Sequence, residues 1–449
     1  MNRIRRLLRW FLQVDVPAPL RPDAEVAAEV VRNYPWNFAV QMLDFGLFWF
    51  SASFASSATI IPLFASKLTG NTWVIGLIAV VAQGGWYLPQ LFTANWVERL
   101  ARKKPVVVNV GFFAERLPFW LLVAAALMAM DNPGLALVLL LIGWAWHNLG
   151  AGAIAPAWQD LVARCFPVDR RGRFFGVSAF LGAGAGALGA GLSTWLLGVV
   201  PFPKSFLLVF GIAAVGITLS WVFLALTREP VQALTAPRKT HTEFFSGLPA
   251  LLGQDLNFRR FLFGRMLLAA GNMGMGFVTV AAIQRWHVSD ATVGVFTAAM
   301  LIGQTGGNLA FGFLADRFGH LLSLRIGAMA SCLAFLVIWL APWAEAYVFG
   351  FAMLGVGAAA VLVSGILVVL EFAAPERRPT YVGIANSAVG AIGILAPLLG
   401  ATLAGWGFDV LFAVSAATCL GAAVAFSVWV LEPRSRVRQG LPQNGKGRG

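Results

Sequence analysis

Four charged side chains, Asp44, Glu115, Arg116 and Arg265, stand inside stretches of sequence that are otherwise apolar or small. A charge set in hydrocarbon costs roughly 2.5–3.5 kcal/mol on insertion scales, so each asks for a chemical reason. Asp44, beside the small polar face of Ser51, Ser53, Ser56 and Ser57, could bind and release a proton or touch a polar solute. It could equally be one half of an ion pair with Arg116 or Arg265. Glu115 and Arg116 are sequence neighbours and point about 100° apart on a helix, which favours separate pairings with adjacent helices. Arg265, a few residues inside its stretch, could reach back to the polar surface or meet an anion. His147, between Trp144, Trp146 and Asn148, is either a hydrogen-bonded packing residue or a proton carrier. Asp160 and Glu371 lie near stretch ends, where water and Arg164 or Arg377 could solvate them.

These side chains must be positioned by apolar helices. Hydrophobic residues make up 59% of the 449 and charged residues 12%, about half the share a soluble protein carries. The apolar residues come in blocks of about twenty, the length that crosses ~30 Å of hydrocarbon as a helix. The spacing predicts spans near 38–64, 73–96, 106–129, 135–158, 174–199 and 206–227, then 261–284, 293–315, 322–342, 346–370, 380–404 and 409–430. The expected fold class is an all-α membrane protein. Residues 1–36 form a basic, amphipathic segment suited to an anionic leaflet. Residues 37–227 form a first six-helix bundle, 228–258 a central polar loop, 259–431 a second bundle and 432–449 a basic tail.

The placement of positive charge gives an orientation. With the N-terminus in the cytoplasm, 28 of the 33 Lys and Arg residues fall on that side, three outside and two within spans. Both termini are therefore expected in the cytoplasm, with the protein in the plasma (inner) membrane. The net charge of +13 sits in clusters between apolar blocks without interleaved aromatics, which excludes a nucleic-acid platform. Cys165, Cys332 and Cys419 are far apart and have no metal-ligand spacing, so neither a metal nor another cofactor is expected. No Walker-type phosphate loop and no HExxH occurs, which speaks against ATP hydrolysis and against a metalloenzyme.

The two halves repeat. Gly76, Glu98 and Arg99 return 218 residues later as Gly294, Asp316 and Arg317. Asp169, Arg170, Arg171, Gly176 and Gly186 return 207 residues later as Glu376, Arg377, Arg378, Gly383 and Gly393. The segment GFLADRFGHLLSLRIG (Gly312–Gly327) resembles the loop signature of the major facilitator superfamily, in its second-half position. Its first-half counterpart, ANWVERLARKKPVVV from Ala94, is degenerate, with Ala94 and Ala101 for glycines and Glu98 for Asp. PVDRRGRFFG (Pro167–Gly176) is similar to the loop such proteins carry before span five.

The resemblance implies two pseudo-symmetric six-helix bundles working by alternating access. A cytoplasmic gate would be formed by Glu98, Arg99, Gly312, Asp316, Arg317, Gly319, Arg171 and Arg173. Asp316 would face the start of span five, and Glu98 the start of span eleven. Asp44, Glu115, Arg116, Arg265 and His147 become candidates for proton or substrate coupling. Gln83, Trp86, Tyr87, Gln90, Asn272, Gln304, Asn308 and Asn386 become candidate cavity-lining groups, or bonds between helices. The implied partners are membrane lipids, a small-molecule substrate and protons, with the chain a monomer and not an enzyme. An aromatic, weakly charged interior leans to export of amphipathic compounds. The alternative is proton-symport uptake, or facilitated diffusion, of a metabolite such as a sugar or organic acid. Span five reads GAGAGALGAG (Gly182–Gly191) and has Ala where some exporters of the family have Pro.

Overall fold

A computed structural model describes residues 6, 9–14, 16, 18–57, 60–231, 240–288 and 290–434. Of the expected amphipathic N-terminal segment, residues 1–5, 7, 8, 15 and 17 lie outside these residues, as does the basic tail from 435 on. Every described regular element is a helix. Nine helical stretches among the described residues are long and apolar enough to cross a membrane. The three remaining expected spans, 38–64, 73–96 and 293–315, also fall on helical segments.

Two of those three are broken. Helix α1, Asp23–Ser53, ends where the serines begin, and α2, Ile60–Leu68, resumes the path. Ser53 donates to the Phe50 carbonyl, the local hydroxyl-to-backbone bond that competes with helix continuation. The second path is split into α3, Thr72–Tyr87, and α4, Pro89–Glu98, because Pro89 has no N–H to continue the ladder. The third path runs through two wide, π-type turns, Val106–Val110 and Phe112–Arg116, into α5, Phe119–Met128. Then follow α6, Pro133–Cys165, α7, Arg171–Val199, and α8, Lys204–Ala225.

The central polar stretch is not all loop. Thr240 and Glu243 cap each other's backbone at the start of α9, His241–Gln254, a reciprocal T-x-x-E cap that the sequence spells out. After it come α10, Leu256–Gly271, α11, Val278–Trp286, and α12, Asp290–Phe318. The chain finishes with α13, His320–Leu340, α14, Ala346–Phe372, α15, Arg378–Trp406, and α16, Phe408–Val424.

The chain forms two compact units that do not follow the midpoint of the sequence. The first holds residues 1–167, 181–237 and 382–387; the second holds 168–180, 238–381 and 388–449. The second unit thus takes in the beginning of α7, and the first takes in residues 382–387 of α15, one turn from its start. The first is packed about aromatic rings: Phe64 stands 4.9 Å from Phe206 and 5.2 Å from Phe210, ring centre to ring centre. In the second, α12 and α14 touch backbone to backbone. A Cβ on Gly355 would collide with the Met300 carbonyl, and one on Gly303 with that of Ala352. Such approach is available only to small residues.

Candidate functional site

In the second unit the start of α7 lies across α12. Gly172 N–H and Arg173 N–H donate to the Asp316 carboxylate at 2.7 and 2.8 Å, and Arg173 Nε stands 3.5 Å from it. A carboxylate on the first free N–H groups of a helix meets both orphan donors and the positive end of its dipole. The approach depends on glycine. A Cβ on Gly176 would stand 2.6 Å from the Asn308 carbonyl oxygen and 2.8 Å from Gly312 Cα.

The first unit holds the repeat-related crossing, made by residues 382–387 of α15. A Cβ on Gly383 would stand 2.9 Å from Leu91 Cα, 3.1 Å from the Gln90 carbonyl oxygen and 3.2 Å from Ala94 Cβ. Gln90 and Ala94 occupy the positions that Asn308 and Gly312 hold in the second half, 218 residues on. Here Asn386 Nδ2 donates to Gln90 Oε1 at 2.7 Å. Both amides are buried and bonded to each other.

A second duplicated device was not read from the sequence. Asn37 exchanges two hydrogen bonds with the backbone of Arg228, and Asn257 does the same with Leu431. The next residue is an acid in both cases. Glu229 accepts from Lys103 N–H and Lys104 N–H at 2.8 and 2.9 Å; Glu432 accepts from Leu321 N–H at 2.9 Å. The available signal was Glu-Pro after the sixth and twelfth spans, Glu229-Pro230 and Glu432-Pro433, 203 residues apart. Gly319, with φ at +94°, forms the turn before α13, and any Cβ there would strike the Glu432 carboxyl.

Burial shifts these end groups. It pushes Glu229 up and Lys103 down to about 8, the latter opposed by Asp160. Burial and neighbouring Glu371 push Glu432 up to about 7, against Leu321 N–H, Arg434 and Arg325. An acid raised in the folded state contributes stability that is present below its unfolded pKa and lost as pH rises through the folded value. Thermal stability in detergent should therefore fall between about pH 4.5 and pH 7 on this account. Glu432→Gln should flatten that part of the profile. An unchanged slope in the variant would refute the assignment.

The intramembrane charges of the first unit form one cluster. Asp44 on α1 accepts from Ser220 Oγ on α8 at 2.7 Å, and Arg116 is the cation acting on its charge. Arg116 is ion-paired with its neighbour Glu115 and stands 5.2 Å over the Phe48 ring. The sequence expectation of separate partners for Glu115 and Arg116 is thus corrected; the π-type turn Phe112–Arg116 carries both members of the pair. His147 Nδ1 is 2.8 Å from the Glu115 carbonyl oxygen, with its ring 4.7 Å from Phe119. Asp44, Glu115 and Arg116 are all buried.

Arg265 does not reach back to the surface. It is buried and donates to the Gly365 carbonyl at 2.6 Å, an acceptor freely approached because Gly365 lacks a side chain. Asp160 is fully buried between Arg164 and Lys103. Glu371 is paired with Arg434, at 2.5 Å, and with His320, not with the expected Arg377. Arg434 also bonds the carbonyls of Ala315 and Asp316, binding the segment after α16 to the end that carries Asp316. Among the remaining candidates, Asn272 donates to Leu268 within its own helix, and Tyr87 accepts through its carbonyl from Ser387. Asn308 Oδ1 is buried with no hydrogen-bond partner among the described residues. Gln83 is exposed, while Trp86 and Gln304 are half-buried. Arg171 is buried, and Arg317 lies over Phe318. Glu98 lies close enough to Lys103 to act on its charge.

Residues 261–449 match the family model of the Major Facilitator Superfamily. The fold is similar to that of solved transporters. It is similar to a bacterial homologue of the iron transporter ferroportin in the outward-facing state, at a TM-score of 0.67 and 15% identity over 87% of this chain and 98% of that one. It is similar also to the Escherichia coli fucose:proton symporter FucP, at a TM-score of 0.71 and 13% identity over 88% and 98%. The chain is an all-α integral membrane protein; its residues 261–449 resemble this family, and its fold is similar to that of these solved transporters.

Two relatives narrow the neighbourhood. The enterobactin exporter EntS of Salmonella typhi is 25% identical over 308 residues, 63% of this chain and 66% of that protein. Multidrug resistance protein 2 of Bacillus subtilis (strain 168) is 28% identical over 146 residues, 32% and 36% of the two chains. The chain thus spans less than two thirds of the length of these relatives.

Proposed function

We propose that this chain is a secondary transporter of the plasma membrane that moves a small organic solute by alternating access. The observation that carries the reading is the duplicated crossing, Gly176 on Asn308 and Gly312, Gly383 on Gln90 and Ala94. Each is held by a few hydrogen bonds and by backbone contact. Such a contact can be made and broken repeatedly. Asp316, Arg171, Arg173, Gly312, Arg317 and Gly319 serve as the cytoplasmic gate, with Glu98 and Arg99 at the repeat-related position. Both termini lie in the cytoplasm, as the positive charges indicate, and the working unit is a monomer. Transport of this kind makes and breaks no covalent bond in its substrate.

Proton coupling is carried by the cluster of Asp44, Glu115 and Arg116. Two carboxyl groups share one guanidinium in a site closed to water, so ionising both leaves one negative charge unmatched. A proton on one acid removes the excess. Arg265, His147 and the amides Asn272, Gln304 and Asn308 remain the polar groups for contact with solute. Export of amphipathic organic compounds is the favoured direction, in keeping with a relative named for enterobactin export and another for multidrug resistance. Proton-symport uptake of a metabolite is the second reading, favoured by the likeness in fold to a fucose:proton symporter.

Asp44→Asn is the test of coupling. In proteoliposomes, solute movement driven by an imposed pH gradient should fall by roughly tenfold or more, while exchange of solute without a gradient persists. Gradient-driven transport at the wild-type rate would remove Asp44 from the coupling site.

A further inference from the structure

A cavity of about 650 Å³ opens in the first unit, where Trp36 of α1, the residues after α4 and the end of α8 come together. Its volume is that of a small-molecule site, roughly 300–1,000 Å³. The wall carries three cations, Arg102, Lys104 and Arg228, and one acid, Glu229. Both Glu229 oxygens are already engaged by the backbone N–H groups of Lys103 and Lys104. Lys103 itself turns its ammonium away, to the carbonyls of Val97 and Leu100. Arg102 Nε is buried and has no hydrogen-bond partner among the described residues. The Arg228 guanidinium stands 4.5 Å over the Trp36 ring, and no carboxylate is paired with it among the described residues. Trp36 is fixed by its own Nε1–H bond to the Leu226 carbonyl. The rest of the wall is mixed: Gln13, Asn109 and Thr227 are polar, and Trp36, Val108 and Leu226 form an apolar strip.

We propose that this cavity holds the phosphate-bearing headgroup of an anionic phospholipid. Among the described residues Arg102 and Arg228 have no carboxylate paired with them, and Lys104 has only Glu229, whose oxygens are already engaged, so the wall keeps an excess of positive charge that calls for an anion. Their position at the ends of spanning helices, on the side assigned to the cytoplasm, meets the leaflet in which anionic lipids are read by basic pockets. A free phosphate ion would use the same cations. The apolar strip of Trp36, Val108 and Leu226 distinguishes the two, because it suits the glycerol and upper acyl chain of a lipid and offers a bare ion nothing.

The experiment is native mass spectrometry of the purified full chain in detergent, with phosphatidylglycerol, phosphatidylcholine or inorganic phosphate added in turn. The wild type should retain phosphatidylglycerol in preference to phosphatidylcholine. Lys104→Gln and Arg228→Gln should each weaken that retention by roughly fivefold. Val231→Glu leaves all three cations in place but adds an acid to the wall, and should weaken it similarly. Arg260→Gln, in the other unit, should retain the lipid as the wild type does, which guards against a general loss of surface charge. Equal retention of the two lipids, or of phosphatidylglycerol by wild type and the three cavity variants, would overturn the proposal. Inorganic phosphate bound at this site while phosphatidylglycerol is not would overturn it too.

Discussion

Arg116→Met should lower stability by about 3–5 kcal/mol, the usual result of leaving buried charge without its partner. Asp44, Glu115 and Arg116 are each less than a tenth exposed. Removing the cation from over Phe48 strands two acids, of which Asp44 keeps only the Ser220 hydroxyl. One acid can escape by taking a proton; the second must then follow, or stay charged in hydrocarbon. The thermal midpoint in detergent should fall by about 5–10 °C. Adding Asp44→Asn and Glu115→Gln to Arg116→Met should recover much of the loss, because the three groups act as one electrostatic unit. A midpoint unchanged in Arg116→Met would mean that the cluster is solvated and that its acids need no cation.

Gly176→Leu should have the largest effect on activity. Its first side-chain carbon alone would stand inside contact distance of the Asn308 carbonyl and Gly312. Overpacking of a close contact costs about 1–3 kcal/mol, which moves a two-state equilibrium by roughly five- to 150-fold. The start of α7 would be held off Asp316, and the closed arrangement of that end would be depopulated. Transport should fall accordingly, with folding preserved because the change is at a surface that must part in any case. Asp316→Asn keeps an oxygen for one N–H and loses the charge, so its effect should be smaller. Equal activity in Gly176→Leu and wild type would show that this crossing does not have to form during the cycle.

The spans were legible because membrane length and helix rise convert directly into a block of about twenty apolar residues. The breaks were less so. A serine run after Ser51 and a proline at Pro89 divide two paths, and neither changes the apolar count that marks a span. Gly312 and Asp316 were readable from a motif, and Gly176 and Gly383 from the repeat. Glu229 and Glu432 were not, although Asn37 and Asn257 recur with them. Their partners are backbone N–H groups, which leave no trace in residue type. The pairing of Glu115 with Arg116 was hidden for a different reason. Ideal helix geometry turns neighbours apart, and the wider π-type turn that carries them is invisible in the sequence. Arg265 was read by depth alone, whereas an unshielded carbonyl at Gly365 decides where it points.

The central claim, solute movement coupled to protons through a gate that opens and closes, is tested most directly in liposomes holding the purified chain and a trapped pH indicator. Amphipathic compounds, enterobactin among them, and sugars are added in turn. At least one should drive a proton flux that depends on both the protein and the solute, is lost in Asp44→Asn, and is strongly slowed in Gly176→Leu. No solute-dependent flux of protons or of solute with any compound, from protein that remains folded, would contradict the account.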